Sequence, residues 1–223
     1  MPLYPPVPTA TSSVAGIALL DGTATDITPA GVQAAGAVGK TADAGHVHPW
    51  ASAEPLASGE AIFPRMCMNS SVSTTLGVLL ITYWTAATSG TATTVTTSTG
   101  GTAGSVLTYA AVGIYSVAAN GDLTKLTDTG DLHASLWAST YTVYASSLSP
   151  SFTRVAGTRY AIGVLTTGTT APSLLGNNFA GGFTTSTPLA AGTNGSGLTS
   201  LPSSVAHGSI SGGYNAAEAI VAP

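Results

Sequence analysis

Six short runs rich in Val, Ile, Thr, Tyr and Leu follow one another after residue 51: EAIFPRMCMN, LGVLLITYWTA, SVLTYAAVGIYSV, GDLTKLTDTG, YTVYASSLS and TRYAIGVLTT. Stretches of Gly, Ser, Asn and Pro separate them. β-Branched and aromatic side chains suit a pleated surface, and the separators turn the chain, so the pattern specifies strands and turns. No window carries the apolar period and caps of an amphipathic helix. Strands at this spacing fold as a sandwich, a jelly roll or a barrel. VAANGDL sets Asn120-Gly121 between two runs, a hairpin signal because both residues tolerate positive φ. TATTVTTSTGGTAGS, 91–105, has the β propensity of Thr and ends in a glycine-rich loop. GGYNAAEAIVAP reads as a terminal strand returning to the sheet. Residues 177–204 are poor in large apolar side chains, and a loop that long is functional or held by a partner.

Residues 1–50 differ. MPLYPPVPTATSS carries four prolines, which fix φ and remove donors, so it is expected to be extended and polyproline-like. VAGIALLDG is a short apolar patch, and the Gly/Ala/Thr-rich segment behind it has no clear period. Such a segment buries no core of its own, so it is expected to be either disordered or an arm ordered by contact with something else, and the apolar IALL favours the second reading. Two regions follow: an extended N-terminal arm, 1–50, and a β-sandwich domain, 51–223. At about 3.3 Å per extended residue the arm can reach well beyond a domain diameter.

Only 6% of the 223 residues are charged, against roughly 25% in ordinary soluble domains. A net charge of -4 gives no basic footprint for nucleic acid and no polybasic patch for anionic lipid. The longest apolar run, 76–84, is far too short for a helical membrane span, which needs about 20 residues. The N-terminus lacks the basic start of a secretory signal, so synthesis in a cytoplasm is expected. The single cysteine, Cys67, excludes an intrachain disulfide framework and reads as a small core residue.

The segment GAVGKTADAGHVHPW, 36–50, offers two chemistries. Gly39-Lys40-Thr41 resembles the end of a phosphate-binding loop, but Ala34 stands where the first glycine belongs. The strand before and the helix after are missing too, so nucleotide binding is set aside. His46 and His48 form the candidate metal site. In extended chain they point to one face, and imidazole suits Zn, Fe, Cu and Ni. Three chains on a threefold axis would supply six nitrogens, an octahedral shell for a transition metal such as Fe or Zn. The alternative is that both rings pack beside Pro49 and Trp50.

No enzyme signature emerges. TNGSGL lacks the first glycine of a nucleophile elbow. Asp131 and His133 are close in sequence but have no evident nucleophile, and paired carboxylates on facing elements are not apparent. Trp84, Trp137 and Tyr83, Tyr109, Tyr115, Tyr141, Tyr144 and Tyr160 are expected in core or interface, with one or two available as a glycan platform.

GKTADAGHVHPW followed by a Thr/Ser/Ala-rich β domain resembles the minor tail proteins of phages that infect actinobacteria. Those often carry a Gly-Lys-x-Ala-Asp-Ala-Gly-His-x-His-Pro string, matched here by Gly39, Lys40, Ala42, Asp43, Ala44, Gly45, His46, His48 and Pro49. VGIYSVAANGDLTKL and SPSFTRVAGTRYAIGVL look like strand pairs of the β-sandwich in such proteins. The resemblance implies a jelly-roll homotrimer of the tumour-necrosis-factor-like kind. It would be attached to the virion, on the phage tail or, in the alternative, on the capsid surface as a fibre or decoration protein. Its arm would grip other virion proteins and its β domain would contact host-surface glycan. His-x-His pairs in similar tail fibres bind iron on the trimer axis.

The expectation for the histidine pair is testable by elemental analysis of the purified protein. An Fe or Zn stoichiometry of one per three chains, abolished in a His46→Ala/His48→Ala variant, supports the axial site, whereas a metal-free protein removes it.

Overall fold

The computed structural model describes residues 59–63, 70–178, 189–213 and 215–223. The arm with its His46 and His48, the Gly39-Lys40-Thr41 string, Trp50 and Cys67 lie outside the described residues. The fold is all-β. In chain order the strands begin with β1 (Glu60–Ala61), β2 (Ser70–Ser73), β3 (Leu79–Thr85), β4 (Gly90–Ser98) and β5 (Ser105–Val117). Next come β6 (Leu123–Asp128), β7 (Val143–Arg154), β8 (Arg159–Thr170) and β9 (Ser173–Asn178). The last five are β10 (Ala191–Asn194), β11 (Ser204–Val205), β12 (Ile210–Gly212), β13 (Asn215–Ala217) and β14 (Ile220–Ala222). One 3-10 turn, His207–Ser209, interrupts them, and no α-helix occurs among the described residues.

All strand pairings are antiparallel. The larger sheet runs β1-β14-β4-β7-β6-β5-β8-β3-β10-β12, with β11 also on β6, and a smaller sheet runs β13-β9-β2. The larger sheet is nearly two sheets, because β6 and β7 share only the pair Asp128↔Ser149. There it folds back on itself. Ala92, Val95, Leu148, Phe152 and Val221 from one half join Leu80, Trp84, Val112, Ile114, Ile162 and Val164 from the other in a single core. Val72, Leu174 and Ala217 of the smaller sheet close the same core. Tyr160 is edge-on to Phe152 at 5.0 Å and tilted against Trp84 at 5.4 Å, distances at which aromatic pairs attract.

The continuous apolar run of β3 has a cause that alternation alone does not reveal. A strand covered on one face alternates, whereas one covered on both reads apolar throughout. Leu80 and Trp84 face the first core, while Leu79, Ile81 and Tyr83 face a second, with Ala111, Tyr115, Leu123, Ala161 and Leu165. The second core is roofed by Leu201 and Val205, with Leu189, Leu198 and Ile210 packed against it. The stretch expected as an open loop, 177–204, is therefore different where described. It contains β10, paired with β3 from Ala191↔Thr82 to Asn194↔Leu79, and it buries Leu201.

Tyr115 holds this roof down. Gly113 and Gly163 sit directly opposite each other on β5 and β8. A Cβ on Gly163 would fall 2.7 Å from the Tyr115 ring and one on Gly113 3.2 Å from it. The missing side chains make room for the phenol to lie across the sheet. Its hydroxyl donates to the Pro202 carbonyl at 3.1 Å, and the Tyr109 hydroxyl accepts from the Leu201 amide at 3.2 Å. Burial, and after it the neighbouring Tyr109 and Asp128, push the Tyr115 hydroxyl well above the ordinary phenol range, so it remains a donor.

The Asn120-Gly121 hairpin forms, with one difference. Only Gly121 is left-handed, at φ 90°. The Ala118 amide donates to the Asp122 carbonyl and the Gly121 amide to the Ala118 carbonyl, both at 2.9 Å. That is a three-residue loop closed by a left-handed glycine rather than a two-residue turn. The amide of His207 and the side chain of Asn120 hold the exposed Asp122 carboxyl below its usual range.

Glu60 and Arg154 form a buried charged pair. Glu60 accepts from the amides of Ala87 at 2.8 Å and Thr88 at 3.2 Å. Arg154 Nε lies 3.4 Å from its carboxylate, and Arg154 Nη1 donates to the Val221 carbonyl at 3.1 Å. The Nε contact is close enough for charge attraction but too poorly angled for a hydrogen bond. Breaking such a pair is costly even where making it gains little.

Leu201→Ala tests the second core. Loss of a buried leucine costs about 2–5 kcal/mol, so urea denaturation is expected to show a destabilisation of that size. An exposed-loop leucine would give almost none.

Candidate functional site

Three loops and one strand meet at one end of the domain. Thr99, fully buried, follows β4 and joins two of the loops. Its amide donates to the Thr142 carbonyl at 2.9 Å. Its Oγ1 donates to the Ser139 carbonyl at 2.6 Å and accepts from the Thr142 amide at 2.9 Å. The Tyr141 amide donates to the Gly100 carbonyl at 3.1 Å and the Gly104 amide to the Trp137 carbonyl at 2.8 Å. Ser173 ties in the third loop. Its carbonyl accepts from the Gly100 amide, its amide donates to the Thr102 carbonyl, and its Oγ accepts from the Thr102 amide at 2.9 Å.

Two side chains in this frame sit on left-handed backbone: Trp137 at φ 61° and Tyr141 at φ 50°. For non-glycine residues that conformation costs on the order of 1–3 kcal/mol and persists only where the surroundings impose it. Trp137 has evident compensation, since its ring is fully buried and its Nε1 donates to Thr97 Oγ1 at 2.9 Å. Tyr141 has no comparable burial, for its side chain is 78% exposed. The loop hydrogen bonds hold an aromatic ring out in solvent. The sequence pattern placed Tyr141 in a strand, but it sits in the loop before β7.

The ring borders a depression of about 700 Å³. Ser70, Ser71 and Ser73 of β2 line it, with Ser173 of β9, Thr102 and Tyr141. Gly101 and Leu175 complete the wall. The glycines set its shape. A Cβ on Gly101 would fall 3.0 Å from the Tyr141 hydroxyl, and one on Gly100 only 1.9 Å from Ser71 Oγ. Ser70 Oγ is buried without a hydrogen-bond partner among the described residues. Among the described residues no charged side chain lines the depression. It offers hydroxyl donors and acceptors beside a flat ring, with no general acid, base or activated nucleophile.

The other sequence candidates fall elsewhere. Asp131 and His133 meet in a turn, Nδ1 to Oδ2 at 2.9 Å. The Asp131 carboxylate also accepts from the amides of Ala110 and His133, both at 3.1 Å. Its partial burial would raise the carboxyl pKa, yet the Ala110 amide and the ring and amide of His133 outweigh burial and hold it below its usual range. The pair caps a loop. In TNGSGL, Gly195 and Gly197 are both left-handed and the Leu198 amide donates to the Gly77 carbonyl at 2.9 Å, which makes it a turn rather than an elbow. Trp84, Tyr109, Tyr115 and Tyr160 are core or latch residues. Tyr83 is covered by Arg159, whose guanidinium carbon stands 4.4 Å from the ring centroid. Among the described residues no group of three or more His, Cys, Asp or Glu is placed to hold a metal, and no helix is long and apolar enough to cross a membrane.

The chain matches no protein-family model, and no curated protein matches it.

Sequence reasoning missed the serine wall, because Ser70, Ser71 and Ser173 look like ordinary strand or turn residues until β2, β9 and two loops meet. Tyr141 gave no local signal either, because the threonines beside it in ASTYT read as strand.

Thr99→Val removes one hydroxyl and leaves the part-buried Thr142 amide without its acceptor, while the Ser139 carbonyl keeps only the longer bond from the Tyr144 hydroxyl. Stranding such groups costs about 1–3 kcal/mol. Denaturant titration is expected to show that loss, and the amide signals of residues 139–142 are expected to shift or broaden in NMR spectra.

Proposed function

We propose that this chain is a structural component of a phage virion, a minor tail protein that forms a jelly-roll-like homotrimeric appendage. Its residues 1–50 dock onto neighbouring virion proteins, and its β domain is presented to the host surface. The observation that carries this reading is where the second resemblance falls. VGIYSVAANGDLTKL lies on the β5–β6 hairpin, beside the strands β8 and β3 that both cores share. SPSFTRVAGTRYAIGVL spans the crossing from β7 in one half of the folded sheet to β8 in the other. The strings that resemble tail-protein strand pairs thus occupy the framework of this sandwich.

Surface chemistry supports the same reading. The chain has 5 Lys and Arg and 9 Asp and Glu in 223 residues, so copies packed side by side repel each other weakly. Val106, Leu126, Val143 and Val155 are exposed. β2 and β12 are unpaired on their outer sides among the described residues. Open edges and bare valines are aggregation hazards in a lone domain, and a closed symmetric assembly removes much of that hazard. The described groups support a binding or structural role rather than catalysis.

Native mass spectrometry at micromolar concentration is expected to give three times the 21.9 kDa of one chain, and a monomer overturns the trimer. Immunogold labelling of intact particles is expected to decorate the tail. Label on the head favours the capsid-fibre alternative, and unlabelled particles overturn the virion assignment.

A further inference from the structure

We infer that the depression beneath Tyr141 is a binding site for a neutral saccharide. The inference deepens the reading of the domain as a host-surface contact and rests on it for its biological setting. The chemistry is local. A sugar ring presents hydroxyls at its rim and an apolar C–H face, and it carries no charge. The depression presents the complement. Ser71, Ser73 and Thr102 supply hydroxyls that both donate and accept. Tyr141 supplies the flat apolar surface for the C–H face. Tyrosine loses little conformational entropy on binding, having two side-chain torsions, and this ring is already supported on Gly101.

Charge and size narrow the class. With no charged lining residue among the described ones, the described wall has nothing to pair with a uronate, a sialate or a phosphate, and taking an anion out of water unpaired is costly. The volume of about 700 Å³ lies in the range of small-ligand sites. A peptide strand is the competing occupant, because the outer edge of β2 is unpaired among the described residues. It would bind through main-chain groups along that edge. The groups gathered here are side-chain hydroxyls and a ring, which favour the saccharide.

The backbone gives a second, independent reason. Tyr141 is held left-handed with its ring in solvent, and burial of that ring does not compensate the strain. A ligand stacked on the ring would bury it.

The test uses the full chain and isothermal titration with cellohexaose, mannohexaose and chitohexaose, with hyaluronan hexasaccharide as the charged control. At least one neutral probe is expected to bind with a Kd on the order of 10⁻³–10⁻⁴ M, and the control is not. Tyr141→Ala, a surface change that leaves the cores untouched, is expected to weaken binding about tenfold or more. Tyr141→Phe keeps the stacking surface and is expected to retain most of the affinity, while Gly101→Ala, which crowds the phenol, falls between. Binding that survives Tyr141→Ala, preference for the charged probe, or no binding by any neutral probe overturns the site. Saccharide binding by a protein that immunogold does not find on particles keeps the site and removes the virion assignment. Labelled tails with no saccharide binding do the reverse.

Discussion

The structure depends on burying both faces of one stretch of sheet. β3, β5 and β8 carry large side chains to each side, so neither face can be left to water. One face is closed by folding the same sheet back through the Asp128↔Ser149 link. The other is closed by a segment with little regular structure, which must be held without a strand ladder along most of its length. Tyr115 does this by lying over a cross-strand glycine pair and reaching the Pro202 carbonyl. Remove the glycines and the ring cannot lie flat; remove the ring and the roof loses its anchor.

Charge plays little part in this architecture, and hydroxyls take its place. Thr97 satisfies the Trp137 indole, Thr99 joins two loops, and Thr74 donates to the Pro172 carbonyl at 2.6 Å. A threonine fits a strand by its β-branch and satisfies a buried carbonyl or amide without the desolvation cost of an ion. The same substitution shapes the surface. Hydroxyl-rich, weakly charged walls discriminate by hydrogen bonding and shape rather than by long-range attraction. That suits the proposed display close to copies of itself and the proposed uncharged ligand.

Some of the structure was legible in advance for clear reasons. Period and punctuation are local properties, so LGVLLITYW, SVLTYAAVGIYSV and TRYAIGVLTT read as strands and are β3, β5 and β8. Asn120-Gly121 read as a hairpin because a left-handed glycine is needed wherever such a loop closes. Other features were hidden because they belong to pairs of distant segments. Nothing local distinguishes Leu201 from a loop leucine; it is core because Tyr109 and Tyr115, more than eighty residues earlier, reach its neighbourhood. Tyr141 looked like a strand tyrosine because its flanks carry threonine, and only the Thr99 hydrogen bonds take it out of the sheet.

By itself, then, the sequence determined the all-β class, several of the strands and the weakly charged character of the surface, since each follows from side-chain shape and charge read one position at a time. The tertiary structure decided which face of each strand would be covered, that the segment after residue 189 would become a roof, and that four serines, a threonine and a tyrosine would share one wall. Those outcomes depend on closing long loops and matching surfaces far apart in the chain, and no property of a single segment encodes them.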